Sequence, residues 1–194
     1  MILQAGQPAP DFTICDIRGN TIQLSQLQGK KILLTFYRHV GCPVNHLRFL
    51  ELSRHDPTFR EKGLVVLAIY ESSADNLLRY SKNAHYHAQL IANPEFDLYD
   101  TYAIELNTLK LLFSMYKGVY AKKIEGEKQA THTFEPEGHP NLLGGDFLIN
   151  ETGCLKRVYY NQFLGDHLPT EEILAFLNDP GYSPVPQPTP CCEE

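Results

Sequence analysis

The hydrophobic positions of the chain change their spacing several times, and each change marks an element. KILLTFYR (31–38) and LVVLAIY (64–70) are continuous apolar runs of β-prone residues, the pattern of strands covered on both faces. Between them, from Pro43 to Lys62, apolar residues such as Leu47, Leu50 and Phe59 recur at helical spacing. Pro43 suits the first turn of that helix, where its missing N–H costs nothing, and Pro57 is expected to kink or interrupt it. Ser72 or Ser73 is placed to cap a further helix running to about Asn83. Residues 31–83 thus predict strand–helix–strand–helix, the unit of a parallel α/β sheet.

Upstream, DFTICDIRGNTIQLSQL predicts a short hairpin turning at Arg18-Gly19-Asn20, and Ser25 to Gly29 a single helical turn closed by glycine. Downstream, HAQLIAN (87–93) predicts a third strand and PEFDLYDTYA a short helix. NTLKLLFSMYKGVYAKK has an amphipathic helical pattern, and a polar loop follows it to Pro140. GGDFLIN and CLKRVYY flank Glu151-Thr152-Gly153 as a second hairpin, and a last helix starts at Thr170 and ends near Asn178. The final stretch, PGYSPVPQPTPCCEE, alternates proline with other residues and is expected to be an extended, mobile tail. This divides the chain into a domain over 1–179, with a helical and loop insertion at about 107–140, and a tail over 180–194.

Composition adds limits. Hydrophobic residues make up 43% and charged residues 21%, enough for a globular core. A net charge of -6 with no basic run excludes a surface that neutralises nucleic-acid phosphates. No apolar run is long enough to cross a bilayer, and MILQAGQPAPDF lacks the features of a signal peptide, so a soluble cytoplasmic protein is expected. In a reducing compartment the five cysteines, Cys15, Cys42, Cys154, Cys191 and Cys192, are free thiols by default.

Chemistry concentrates at FYRHVGCPVNHL (36–47), where the apolar strand gives way to a helix. A helix N-terminus presents unpaired N–H groups and partial positive charge, so a sulfur there is favoured as the thiolate. Arg38 or His39 would add positive potential if either points at Cys42, which therefore reads as a reactive thiol rather than an inert buried cysteine. Asn45 stands where a Cys-x-x-Cys pair would place its second sulfur, which rules out an internal disulfide between positions 42 and 45. A metal site built on His39, Cys42 and His46, with His85 and His87, lacks the spacing of a closed tetrahedral set, and no metal or other cofactor is expected. Cys15 and Cys154 read as core residues, and Asp146 as a turn residue. His85 and His87 read as decoration of a surface helix end, and Tyr99, Tyr102, Phe113, Tyr116 and Tyr120 as packing aromatics.

The opening APDF…GNTIQLSQLQGKKILLTFYR resembles the peroxiredoxin family, the alkyl hydroperoxide reductase/thiol-specific antioxidant group. FYRHVGCP and LLGGDFLINETG resemble its peroxiredoxin-like branch, and together the matches span roughly residues 6–178. The resemblance implies a thioredoxin-like α/β fold: a central mixed β-sheet flanked by helices, with an N-terminal β-hairpin. It implies reduction of a peroxide through Cys42, with Arg38 and His39 in catalytic roles and Pro43, Asn45, Gly144 and Gly145 in support. The loop before GGDF passes near the active cysteine in such folds, and Gly144 and Gly145 would permit close backbone approach there. Three departures accompany it: His39 replaces the usual threonine, Thr35 the usual proline, and Gly144-Gly145-Asp146 occupies the place of a late arginine.

The second thiol would come from Cys191 or Cys192 on the tail, in the same chain or a homodimer partner, or from an external thioredoxin-like or glutathione reductant. A non-catalytic module that senses oxidant or binds a partner is the alternative, and thiol–disulfide exchange with protein substrates a third reading. No nucleic acid or membrane partner is expected.

Overall fold

Two strands whose side chains are apolar on both faces need cover above and below, and helices packed on each face of the sheet supply it. The computed structural model describes residues 2–81, 87–130 and 137–178. The tail with Cys191 and Cys192, and His85, lie outside the described residues. A five-stranded mixed sheet has the order β5 (Gln89–Ala92), β4 (Val65–Tyr70), β3 (Ile32–Tyr37), β6 (Gly145–Ile149), β7 (Leu155–Tyr160). Central β3 runs parallel to β4 and antiparallel to β6, so Leu34 faces Leu67 on one side and Phe147 on the other.

The two-residue period of the strands sorts their side chains into separate cores. Leu34, Phe36, Leu67 and Phe147 pack with Tyr99 and Tyr102 on one face. Leu33, Val66 and Leu148 pack with Ile173 and Phe176 on the other. Each fully buried side chain of this kind contributes about 1.5–3 kcal/mol.

Helices fill the connections: α1 (Pro43–Arg54), α2 (Asp56–Glu61), α3 (Ala74–Ser81), α4 (Asp97–Thr101), α5 (Thr108–Phe113), α6 (Val119–Gln129) and α7 (Thr170–Asn178). The helix expected over 43–62 breaks at His55, just before Pro57, whose ring fits the first turn of α2. Asn107 caps α5 by accepting the Lys110 N–H at 2.9 Å. A 3-10 turn at Ser114–Lys117 and a left-handed Gly118 then separate α5 from α6. The N-terminal hairpin of β1 (Thr13–Cys15) and β2 (Thr21–Gln23) stands apart as its own two-stranded sheet. Asp16 closes it by accepting the Arg18 and Asn20 N–H groups, each at 2.8 Å.

Several sequence expectations are corrected. Cys15 is exposed and Cys154 half-buried, because their strands lie at the margin of the fold rather than in its core. Asp146 is no turn residue: it sits inside β6 and is fully buried, opposite Thr35 in the ladder. His87 is not surface decoration, since it is half-buried with its Nε2 2.8 Å from the Leu64 carbonyl oxygen. Tyr99 and Tyr102 are core residues as expected, but Phe113, Tyr116 and Tyr120 point outward.

Gly144 has φ +92°, and a Cβ there would fall inside contact distance of the Phe36 carbonyl oxygen. Gly144→Ala is expected to cost about 2–3 kcal/mol, combining backbone strain with the clash. A urea midpoint within experimental error of the parent would refute this.

Candidate active site

The five residues Arg38–Cys42 carry the chain from the end of β3 into α1. Cys42 is the N-cap of α1: its carbonyl accepts the His46 N–H at 3.0 Å, and its own N–H donates to the His39 carbonyl at 3.0 Å. Pro43 follows as the first helical residue, so the helix begins directly at the cysteine. The Val40 N–H donates to Ser72 Oγ at 3.0 Å, which pins this link to the chain leaving β4.

The structure brings Arg38 to the sulfur. Its Nη1 lies 3.9 Å from Cys42 Sγ, within reach of a weak donor contact, so a fixed positive charge stands beside the thiol. The His39 ring is buried, and its Nδ1 has no partner among the described residues. Burial, then the charge of Arg38, push its pKa down to about 4, with Glu137 opposing them. The ring is therefore neutral at pH 7, with one nitrogen that donates and one that accepts.

Asn45 is buried on α1. Gly144 and Gly145 make their close approaches to Phe36, Ile104 and Tyr159, at the end of β3 that leads to the cysteine. His46 is committed elsewhere, with Nδ1 2.9 Å from the Tyr80 hydroxyl and Nε2 3.4 Å from the Gln129 carbonyl oxygen. Among the described residues, no group of three or more His, Cys, Asp and Glu side chains is arranged to hold a metal ion.

The thiol itself is covered. Cys42 is only 3% exposed, packed against Val44, Val119 and Leu164, with half-buried Leu111 at the edge. Three contacts fix this roof in place. Ser114 Oγ accepts the Leu164 N–H at 2.7 Å, and Lys122 Nζ donates to the Gly165 carbonyl at 2.7 Å. Gly126 of α6 lies against the Pro43 carbonyl so closely that no Cβ would fit between them. A cleft of about 340 Å³ opens beside this cluster, lined in part by Val44, Lys122, Gly165 and His167.

Behind the site lies a buried polar network. Asp146 accepts the Thr35 hydroxyl at 2.5 Å and the Leu168 N–H at 2.8 Å. Burial pushes the Asp146 carboxyl up, but His167, Arg48 and Thr35 pull harder, and it stays below the ordinary carboxylate range. Arg48 in turn donates to Thr170 at 2.9 Å and to the Leu168 carbonyl at 2.6 Å. These bonds tie α1 to the segment entering α7, so the network positions the cysteine-bearing helix.

Sequence reasoning missed the roof residues Leu111, Val119 and Leu164, and the Glu71–His139 pair at the end of β4. Glu71 receives the His139 N–H at 2.8 Å and holds its Nδ1 at 2.5 Å. No signal pointed to Gly126, which falls in the stretch expected to be a polar loop; α6 instead runs on to Gln129 and carries it.

The buried histidines predict an acid-sensitive fold. Burial lowers the pKa of His39, His46 and His167. The unfolded chain therefore takes up protons near pH 6.5 that the folded chain refuses, and stability falls as pH drops through that value toward 4. A shift of His39 from 6.5 to about 4 is worth about 3 kcal/mol. His39→Gln should flatten the decline of the urea midpoint between pH 7 and pH 4; a profile parallel to the parent's would remove His39 from this account.

The pattern of the AhpC/TSA family matches residues 5–138. A Bcp peroxiredoxin homologue of Helicobacter pylori is 24% identical over 159 residues, which cover 82% of this chain and 89% of that protein. Peroxidoxin BcpB of Mycobacterium tuberculosis shares the fold with a TM-score of 0.60 at 13% identity, covering 84% of this chain and 90% of the other. The reduced 2-Cys peroxiredoxin of Plasmodium vivax does so with a TM-score of 0.62 at 16% identity, covering 91% and 81%.

Proposed function

The chain belongs to the AhpC/TSA family, and from that footing we propose that its thiol-dependent reduction of peroxides takes place at Cys42. The observation that carries this assignment is the placement of the Cys42 sulfur at the start of α1 with the Arg38 guanidinium 3.9 Å away. The thiolate attacks the terminal peroxide oxygen, the O–O bond breaks, and the leaving oxygen takes up a proton to depart as water or an alcohol. Cys42 is left as a sulfenic acid. A second thiol then displaces hydroxide from the oxidised sulfur, releasing water and forming a disulfide that an external thiol reduces.

Arg38 stabilises negative charge on the sulfur and on the departing oxygen. Neutral His39 offers its ring to the peroxide, in the place where the family more often has threonine. Pro43 and Asn45 shape the first helical turn, and Gly144 and Gly145 let β6 close against the end of β3. Cys191 or Cys192 supplies the second thiol, within one chain or across a homodimer, and a thioredoxin-like protein or glutathione restores the dithiol. The protein works in the cytoplasm. No helix among the described residues is long and apolar enough to cross a membrane.

The burial of Cys42 favours one alternative, a slow redox sensor rather than a turnover enzyme. Intact mass after mixing the reduced protein with a modest excess of hydrogen peroxide separates them. Rapid gain of one oxygen, or loss of two hydrogens where the tail resolves Cys42, is expected. Oxidation no faster than that of an ordinary free cysteine would overturn the assignment.

A further inference from the structure

Three consecutive residues at the end of β4 each hold a different piece of chain. Glu71 accepts the His139 N–H at 2.8 Å, Ser72 Oγ accepts the Val40 N–H at 3.0 Å, and the Ser73 hydroxyl donates to Glu137 Oε1 at 2.9 Å. The Ser73 N–H donates to the same oxygen at 3.4 Å. Consecutive Cα atoms are about 3.8 Å apart, so the adjacent serines set the Glu137 carboxylate beside the backbone that carries His39. Burial pushes the Glu137 carboxyl up, but the polar groups of Ser72, Asn76 and Ser73 pull harder, and it stays below the ordinary carboxylate range. Glu137 is therefore an anion near neutral pH, which the chemistry of the thiol leaves unused.

Two atoms of this corner stand without partners. Glu137 Oε2 is buried with no hydrogen-bond partner among the described residues, and so is His39 Nδ1. His39 Nε2 is not one of the buried unpartnered atoms, so Nδ1 is the nitrogen turned to the interior. A neutral ring carries one proton, on Nδ1 or on Nε2, and a carboxylate draws it to the nitrogen it faces. Arg38 acts on the same ring with the opposite sign, and its guanidinium stands at the sulfur. The ring lies in a field that favours the proton on the inward nitrogen and the lone pair on the outward one.

We propose that Glu137 is a positioning residue of the active site: held at the Ser72–Ser73 junction, it keeps the His39 proton on Nδ1 and leaves Nε2 to accept the O–H of the peroxide. The inference rests on the reading that peroxide is reduced at Cys42 beside His39. By accepting from the terminal O–H, Nε2 fixes the oxygen that the thiolate attacks. An Nε2–H can only donate, and Arg38 has no acceptor to take its place. No proton leaves the ring in this role, so the balance of the peroxide reaction is unchanged.

Nitrogen-15 NMR of the full-length reduced protein tests this, with the His39 ring assigned by the signal lost in His39→Gln. The parent should show the Nδ1–H form. In Glu137→Gln, whose amide oxygen can still accept from Ser73, the Nε2–H form should become the major one. Oxidation of Cys42 by hydrogen peroxide should slow about tenfold, the worth of one hydrogen bond. Alkylation of Cys42 by iodoacetamide should hold within about threefold, since the lost charge is partly solvated. Glu137→Asp keeps the charge, and should return the Nδ1–H form and most of the peroxide rate. An unmoved tautomer in Glu137→Gln would overturn the proposal, and so would a Glu137→Asp variant in the Nε2–H form. Equal losses of alkylation and peroxide rates would mark a structural role and overturn it as well. The tautomer readout needs no turnover, which keeps the two readings apart. Slow oxidation of Cys42 in the parent, with the tautomer shift intact, overturns the peroxide reading and upholds the hold of Glu137 on His39. Rapid oxidation with an unmoved tautomer overturns the positioning role alone.

Discussion

Replacing Cys42 with serine is expected to abolish peroxide turnover, lowering the rate by at least about a thousandfold. A serine hydroxyl is not ionised near neutral pH and is a far weaker nucleophile than a thiolate toward the O–O bond. Arg38 would remain in place beside it, so the substitution removes the reacting atom and leaves the local charge. The exchange is nearly isosteric, but it puts a hydroxyl among Val44, Val119 and Leu164. An unpartnered hydroxyl in such a place costs about 1–3 kcal/mol, too little to explain a thousandfold loss in a protein that still unfolds cooperatively. Peroxide consumption with a thiol reductant, measured beside the unfolding curve, decides it. Residual turnover within tenfold of the parent would move the chemistry to another cysteine.

Gly126→Val is expected to do the opposite to the thiol: to make Cys42 more reactive toward a small alkylating reagent, by about a hundredfold. Glycine ordinarily weakens a helix relative to residues with a side chain, so its presence in the middle of α6 needs a reason, and the Pro43 carbonyl against it is that reason. A branched side chain cannot enter that space, and α6 must lift from the start of α1. The roof is held by a few buried side chains worth about 1.5–3 kcal/mol each. Losing the contact of one or two would open the site about a hundredfold more often, since 1.4 kcal/mol is a factor of ten. The sheet and its two cores lie away from α6, so the circular dichroism of the variant should match the parent. Alkylation at the parental rate would show that α6 does not control access to the sulfur.

Elements defined by local pattern were legible in the sequence. The apolar runs marked β3 and β4 because they are short and rich in β-prone residues, as strands covered on both faces are. Pro43 after a strand marked the start of α1 and hence the place of Cys42. What distant residues decide was not legible. Asp146 follows two glycines and resembles a turn, but Thr35, 111 positions earlier, meets it across the ladder and completes its hydrogen bonding. The helical period of residues 107–123 showed that an apolar face exists, but not that most of it turns to solvent while Leu111 and Val119 turn to the sulfur. Burial of Cys42 under Leu164 depends on a residue that no local rule connects to it.

The sheet order has a further consequence for the protein's birth. Central β3 cannot complete its ladder until β6 is available, and the last wall around Cys42, Leu164, comes later still. At a synthesis rate of ~5–20 residues per second, the thiol emerges about 6–24 s before the chain that will enclose it. Throughout that interval it is an unshielded cysteine on a nascent chain, open to any oxidant or stray disulfide nearby. A sulfur that the finished fold covers is thus least protected while the chain is still being made.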